Sequence, residues 1–330
     1  MTTSRLALAG DTMLGRDVAA RLEAADPTSL VAPEVAELMR NADITLVNLE
    51  CCISERGQPY RLPGKPFFFR APPQATELLA HLGVDCVTLA NNHALDFGEV
   101  ALLDTFDHLA AAGIGWAGAG PDMMQAQAPT VLPAGDLELS VVAFTDHPSA
   151  YAAMPGRPGV AYVDLDHGVD PWVTEAVAAH RADRNHVVVV SPHWGPNMVP
   201  QPLGPAVAAA VRLVEAGATL VAGHSAHVFQ GVAGRVLYDL GDFLDDYRVD
   251  PLLRNDLGLL FLVDIASDGP RRLEAVPLEL RHCHTVLARG DDARWIRRRF
   301  HHACRALGQD VTDEDGHPVI TWPSPATTSS

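Results

Sequence analysis

VDCVTLANNHALDFG, residues 84–98, decides the fold. Its first half is a short apolar run with the length and composition of a buried strand. The run empties into Asn91-Asn92-His93, with Asp96 and Gly98 just beyond. EVALLDTFDHLAAAG (99–113) then reads as a helix, with Val100, Leu103, Phe106 and Leu109 on one stripe and Gly113 closing it. Strand, polar turn and helix in this order are one unit of a parallel sheet. A single polar ending could be an ordinary turn, so the question is whether other strands end the same way.

They do. RLALAG (5–10) leads to Gly10-Asp11, and ITLVNLE (44–50) ends in Asn48-Leu49-Glu50. HVVVVSPHWG (186–195) ends in His193-Trp194-Gly195, and TLVAGH (219–224) in His224, with His227 three residues on. Helical patterns alternate with these runs: VAPEVAELMR (31–40), PQATELLAHLG (73–83), WVTEAVAAHRADR (172–184) and PAVAAAVRLVEAG (205–217). ELSVVAFTD (138–146) is a further strand. Later strands, RVLYDLGDF (235–243), LGLLFLVDI (257–265) and LEAVPLELR (273–281), are joined by short turns and read as antiparallel pairs. An Arg-rich helix (291–308) follows. The pattern predicts an α/β chain forming one domain over residues 1–309, with a polar, disordered C-terminal tail over 310–330.

Composition narrows the function. The 330 residues are 48% hydrophobic, enough for a sizeable core. A net charge of −17 argues against nucleic acid or an anionic membrane surface as the main partner. The N-terminal apolar stretch is broken by Gly10 and Asp11, unlike a signal peptide. No run approaches the roughly 18 apolar residues of a membrane span. Five cysteines without paired spacing fit reduced thiols, and so a cytoplasmic location. Lys65 is the sole lysine among abundant Arg, Ala, Gly and Pro, which reads as the coding bias of a GC-rich bacterium.

In open α/β sheets ligands bind beyond the carboxyl ends of the strands. Five strand ends bring carboxylates, amides and imidazoles to that edge, a set suited to Zn²⁺, Mn²⁺ or Fe. Two ions there could activate a water and clamp an oxyanion. His93 could act as a general acid, with Asp96 holding its other ring nitrogen. Each residue has a plainer reading: Asp11 as a turn residue, Asn91 and Asn92 as left-handed turn residues, His193 as a core imidazole. The coincidence of all five endings favours a site. GWAGAG (115–120) follows a helix and reads as a plain turn, RHCH (281–284) matches no zinc spacing, and RWIRRRF reads as a solvated helix face. No Gly-x-Ser-x-Gly elbow or cysteine beside a base supports nucleophilic catalysis.

Taken together, LAGDTMLGR (8–16), LVNLECCIS (46–54), LANNHALDFG (89–98), AGAGPD (117–122), VVSPHWG (189–195), GHSAHVFQGV (223–232) and LYDLGDF (237–243) resemble the CapA family. These are bacterial poly-γ-glutamate capsule-synthesis proteins related to the calcineurin-like metallophosphatases. The resemblance implies a four-layer αββα sandwich of two mixed β-sheets. It implies a metal site of Asp11, Glu50, Asn92, His193, His224 and His227, holding one or two divalent ions. It also implies catalysis by His93 and an anion-binding role for Arg16. Met13 stands where phosphatases of the wider superfamily place a histidine, and Glu50 where they place an aspartate. Family members are usually membrane-anchored, and an anchor is not expected here.

Three functions follow. The leading one is metal-dependent hydrolysis of a phosphoester or γ-glutamyl-type amide, with His93 as general acid. The alternative is a biosynthetic tailoring enzyme performing acid–base elimination, conjugate addition or cyclisation of a small molecule in the same cleft. The third is a non-catalytic polyglutamate assembly subunit.

Overall fold

The computed structural model describes residues 3–181 and 185–323. Two mixed sheets pack face to face. The first runs, in spatial order, Thr312–Glu314, His317–Thr321, Gly269–Arg281, Leu257–Ala266, Ser4–Thr12, Ile44–Leu49, Cys86–Thr88 and Gly115–Ala117. The last four of these are mutually parallel, and the rest pair antiparallel. In the second sheet Val236–Leu237, Leu220–Ala222, His186–His193 and Leu137–Thr145 are parallel, flanked by antiparallel Val232–Ala233 and Thr130–Ala134.

Three apolar cores separate four layers, because parallel strands covered on both sides bury every residue. Leu6, Leu8 and Leu46 meet Val141, Val189 and Leu220 between the sheets. Their neighbours Ala7, Ala9 and Val47 pack outward beneath helices Arg16–Ala24, Pro33–Arg40, Ala75–His81 and Glu99–Ala111. Val142, Phe144, Val188 and Val190 pack outward beneath helices Pro171–Arg181 and Gly204–Ala216. The amphipathic Gly290–Ala306 helix closes one end of the inter-sheet core with Ile296, Phe300 and Cys304. Phe300 is fully buried against Phe229 and Phe261, so Phe300→Ala should cost about 3–5 kcal/mol.

Several expectations are corrected. GWAGAG is not a plain turn: Gly115–Ala117 forms the edge strand of the first sheet. Gly118 (φ +83°) lies between the sheets, where a Cβ would meet the Ala90 and Ala143 methyls at 2.5 and 2.8 Å. On the Glu99–Ala111 helix, Val100 and Leu103 are over a third exposed, and the buried face is Ala101, Leu102, Thr105, Phe106 and Leu109. Thr105 fixes that rotation, its Oγ1 accepting from Ile53 N at 2.8 Å. RVLYDLGDF is two strands in different sheets, because the chain crosses between them at Asp239–Gly241.

The segment from 310 is not a disordered tail through residue 321. Asp315 and Gly316 take positive φ and turn a hairpin of Thr312–Glu314 with His317–Thr321. Val319 and Ile320 are buried, and Glu274 accepts from His317 at 2.7 Å. The remainder of that predicted tail, residues 324–330, lies outside the described residues, as does 182–184 at the end of one predicted helix. No helix among the described residues is long and apolar enough to cross a membrane.

Candidate metal centre and its acid–base wall

The parallel strands of both sheets deliver their carboxyl ends to one rim, and an isolated bridge between His193 and His224 ties neighbouring ends together. Asp11 sits at the focus. Asn48 Nδ2 donates to its Oδ1 at 2.8 Å, and His224 Nδ1 lies 3.1 Å from the same oxygen. Its Oδ2 accepts from Ser225 N at 3.3 Å and lies 3.3 Å from His227 Nδ1. Ser225 (φ +107°) and His227 (φ +57°) hold left-handed backbone here, strain that a tightly determined site can carry. Gly10 is required beside them: a Cβ there would stand 1.9 Å from the carbonyl oxygen of Gly241.

Glu50 is fully buried at the end of its strand. Its Oε2 accepts from Tyr247 Oη at 3.3 Å. Its Oε1 has no donor, and His193 Nε2, at 3.6 Å, is too far to supply one. Asn92 Oδ1 is likewise buried without a partner. Ligating atoms of Asp11, Glu50 and His193 lie within 4.8 Å of one another, as do those of Asp11, His227 and Asp242. Five of the six predicted metal-site residues therefore converge, and Asn92 stands in the adjoining turn. Orphaned carboxylate and amide oxygens beside imidazoles are the donor set of a divalent cation, so the residues fit the ion.

Electrostatics agree with that fit. Burial raises Glu50 well above the ordinary carboxylate range, Asp11 and Asp242 adding to the rise. Burial works in the same direction on Asp11, but hydrogen bonding and charge from His224, with His193 and His227, hold it well below. Burial lowers His193 well below the ordinary value. It also opposes charge on His227, which Glu50 and Asp11 nonetheless lift.

His93 forms a second wall. Its Nδ1 lies 2.6 Å from Asp96 Oδ2, and Phe69 stacks on the ring at 4.0 Å between centroids. Asp96 is completely buried, accepting from Phe69 N at 2.6 Å and Tyr151 Oη at 3.0 Å. Lys65 Nζ lies 3.0 Å from Asp96 Oδ1 and donates to the Asn92 carbonyl at 2.6 Å. Burial pushes His93 down to about 4 against the pull of Asp96, so its imidazole is neutral at pH 7. His93, His227, Phe67, Phe69, Tyr247 and Arg16 line a cleft of about 610 Å³.

Arg16, expected to bind an anion, lines this cleft and is paired with an acidic neighbour. Its Nε and a terminal nitrogen both bond Asp246, and its guanidinium lies over Phe69 at 4.9 Å.

The family model described as bacterial capsule synthesis protein PGA_cap matches residues 5–247. The chain belongs to this family. A probable polyglutamine synthesis accessory protein of Mycobacterium tuberculosis is 31% identical over 87% of this chain and 79% of its own length. The PGA biosynthesis protein CapA of Bacillus subtilis is 26% identical over 82% of this chain and 70% of its own. Among solved structures, a novel phosphatase from Mycoplasma pneumoniae aligns over 84% of this chain and 94% of that one, at 13% identity and a TM-score of 0.49. A putative 5′-nucleotidase from Staphylococcus aureus aligns over 90% and 58%, at 12% identity and a TM-score of 0.44.

Within this PGA_cap chain, four residues at the site escaped the sequence reading: Lys65, Tyr151, Asp242 and Tyr247. Lys65 carried a signal, since it is the only lysine in the chain. Asp242 lay inside a quoted motif, hidden by the apparent continuity of RVLYDLGDF. Met13, at the position expected of a histidine, is buried with its sulfur 3.0 Å from Gly15 N.

Proposed function

We propose that this PGA_cap protein is a metal-dependent hydrolase of a phosphoester or γ-glutamyl-type amide. The observation that carries this reading is the buried Glu50 Oε1, without a donor, among Asp11, His193 and His227. Asp11, Glu50, Asn92, His193, His224 and His227 would hold one or two ions of Mn, Fe or Zn. Such an ion supplies a nucleophilic water near neutral pH and Lewis acidity toward an oxyanion. The chain's own residues do the rest. Asp96 fixes the His93 tautomer with the proton on Nδ1 and leaves Nε2 for the substrate side. An anionic substrate favours uptake of a solvent proton at that nitrogen, and His93 then passes this proton to the leaving group. Phe67, Phe69 and Tyr247 give the cleft an apolar wall.

The test is metal content by inductively coupled plasma mass spectrometry on wild type and His193→Ala, followed by assays on phosphoesters and γ-glutamyl amides. Stoichiometric metal, lost in the variant together with hydrolysis, supports the reading. Metal-free protein, or hydrolysis that survives chelation, sinks it.

One observation favours the second reading, acid–base tailoring of a small molecule. His93 is neutral and oriented by Asp96, Lys65 and Tyr151 without help from the carboxylate cluster, as a general base would be. Turnover of a biosynthetic intermediate by chelated protein, abolished in His93→Ala, would select it.

A further inference from the structure

We propose that Asp242, which lies outside the expected ligand set, is itself a metal ligand, serving with Asp11 and His227 an ion position beside that of Asp11, Glu50 and His193. The proposal rests on the metal-centre reading above and adds a residue to it.

The backbone puts Asp242 in place. The Asp242–Leu244 strand runs parallel to Ser4–Thr12, with Asp242 in register with Asp11, while Asn48 is in register with Asp11 on its other side. Asp11 N donates to the Gly241 carbonyl at 2.8 Å, so the two chains touch where the two carboxylates emerge. Asp242 is 2% exposed.

The neighbouring Asp239 shows what a structural carboxylate looks like. Its Oδ1 accepts from Gly241 N and its Oδ2 from Ala226 N, both at 2.8 Å, which closes the crossing between the sheets. Asp242 has no backbone donor, and it meets the Asp245 carboxyl, with which it can share a hydrogen bond only when one of the two carries a proton. Its Oδ1 lies 2.8 Å from His227 Nδ1, and its Oδ2 is buried without a donor. Asp245 adds another buried oxygen without a donor. Protein interiors do not leave carboxylate oxygens unpaired without a cation or a proton to answer them.

The alternative role, a carboxylate that merely orients a ligating histidine from behind, would put Asp242 on the ring nitrogen turned away from the centre. The geometry differs. One nitrogen, His227 Nδ1, faces Asp242 at 2.8 Å, Asp11 at 3.3 Å and Glu50 at 3.9 Å. Asp242 therefore stands on the same side of the imidazole as the other carboxylates. Asp11 belongs to both clusters and is the group able to serve two ions.

Crystals of the full chain grown with Mn²⁺ or Zn²⁺ alone, and metal-free protein titrated calorimetrically with the same ions, test this. An anomalous peak within about 2.0–2.3 Å of an Asp242 oxygen supports the proposal. So does loss of about one equivalent in Asp242→Asn, which keeps the side-chain shape, while Asp245→Asn keeps full uptake. Peaks only against Asp11, Glu50 and His193, beyond about 4 Å from Asp242, overturn the proposal and leave the metal centre standing. Unchanged stoichiometry and affinity in Asp242→Asn do the same. A wild type that takes up neither ion overturns both. The wild-type crystals decide the matter even if Asp242→Asn fails to fold.

Discussion

Asp96 and the Asp11 cluster stand behind the same cleft, which His93 and His227 line, yet they answer buried charge in opposite ways. Asp96 receives Lys65, Tyr151, a backbone N–H and His93, so that its carboxylate is fully satisfied by the protein. On the other wall Asp11, Glu50, Asp239, Asp242 and Asp245 are all buried around a group of imidazoles, and three oxygens, one each of Glu50, Asp242 and Asp245, have no donor. Burying several carboxylates costs far more than imidazoles return, so that wall is built for an added cation. On the proposed reading, the first wall is an acid–base device and the second a socket for an ion.

Changes on the two sides should therefore have separable effects. The largest belongs to the socket. His193→Ala should lose bound metal, and hydrolysis should fall by on the order of 10³-fold, since an ion's water activation and charge stabilisation go together. Metal analysis and initial rates on one preparation check this, and retained rate with lost metal would break the comparison. His93→Ala comes next. It should lower kcat by about 10²–10⁴-fold while metal content stays at the wild-type level, the opposite signature. A His93 variant that sheds metal would merge the two walls into one.

Lys65→Met should act on stability more than on metal. It leaves Asp96, completely buried, without its cation, and breaking a buried pair this way costs about 3–5 kcal/mol. Denaturant unfolding measures the loss, and Lys65→Met combined with Asp96→Asn should recover much of it. A Lys65→Met protein as stable as wild type would show that Tyr151 and Phe69 N suffice for Asp96.

The two walls were unequally legible. Asp11, Glu50, His93 and His193 end strands buried on both faces, and such strands read as unbroken apolar runs such as VVVV at 187–190. The layer order came from the resemblance to the CapA family, not from this pattern. Asp242 was hidden because the chain changes sheets at Asp239–Gly241 inside a short stretch that reads as a single strand. Lys65 lies in a loop with no periodicity, where only its uniqueness stood out. The C-terminal hairpin was missed because its outer strand, Thr312–Glu314, is wholly exposed and polar, although Asp315-Gly316 is a hairpin signal.

The smallest expected effect is the dependence of stability on pH in metal-free protein, and it distinguishes the socket most directly. Burial raises Asp245 to about 6, and Glu50 and Asp242 well above the ordinary range. A carboxyl with a raised folded pKa binds its proton more tightly in the folded state. Its stabilisation is present below the unfolded value of about 4 and is lost as pH rises through the folded one. Asp11, held low by its histidines, runs the other way and loses its contribution only in strong acid. His93, pushed down to about 4, and His193, lowered likewise, oppose this, gaining stability as pH rises toward the unfolded imidazole value of about 6.5. The carboxyl contribution is therefore read by difference: with chelator, the melting temperature of wild type should fall by a few degrees relative to Asp245→Asn between about pH 4.5 and 7. Mn²⁺ should reverse the trend, because the ion binds the deprotonated groups and its stabilisation grows as protons leave. Scanning fluorimetry across that range, with and without chelator, checks both slopes. A chelated wild type whose melting temperature does not fall with pH relative to Asp245→Asn would mean that the carboxylates of the socket are already neutralised by the protein, as Asp96 is, and the contrast between the walls would be gone.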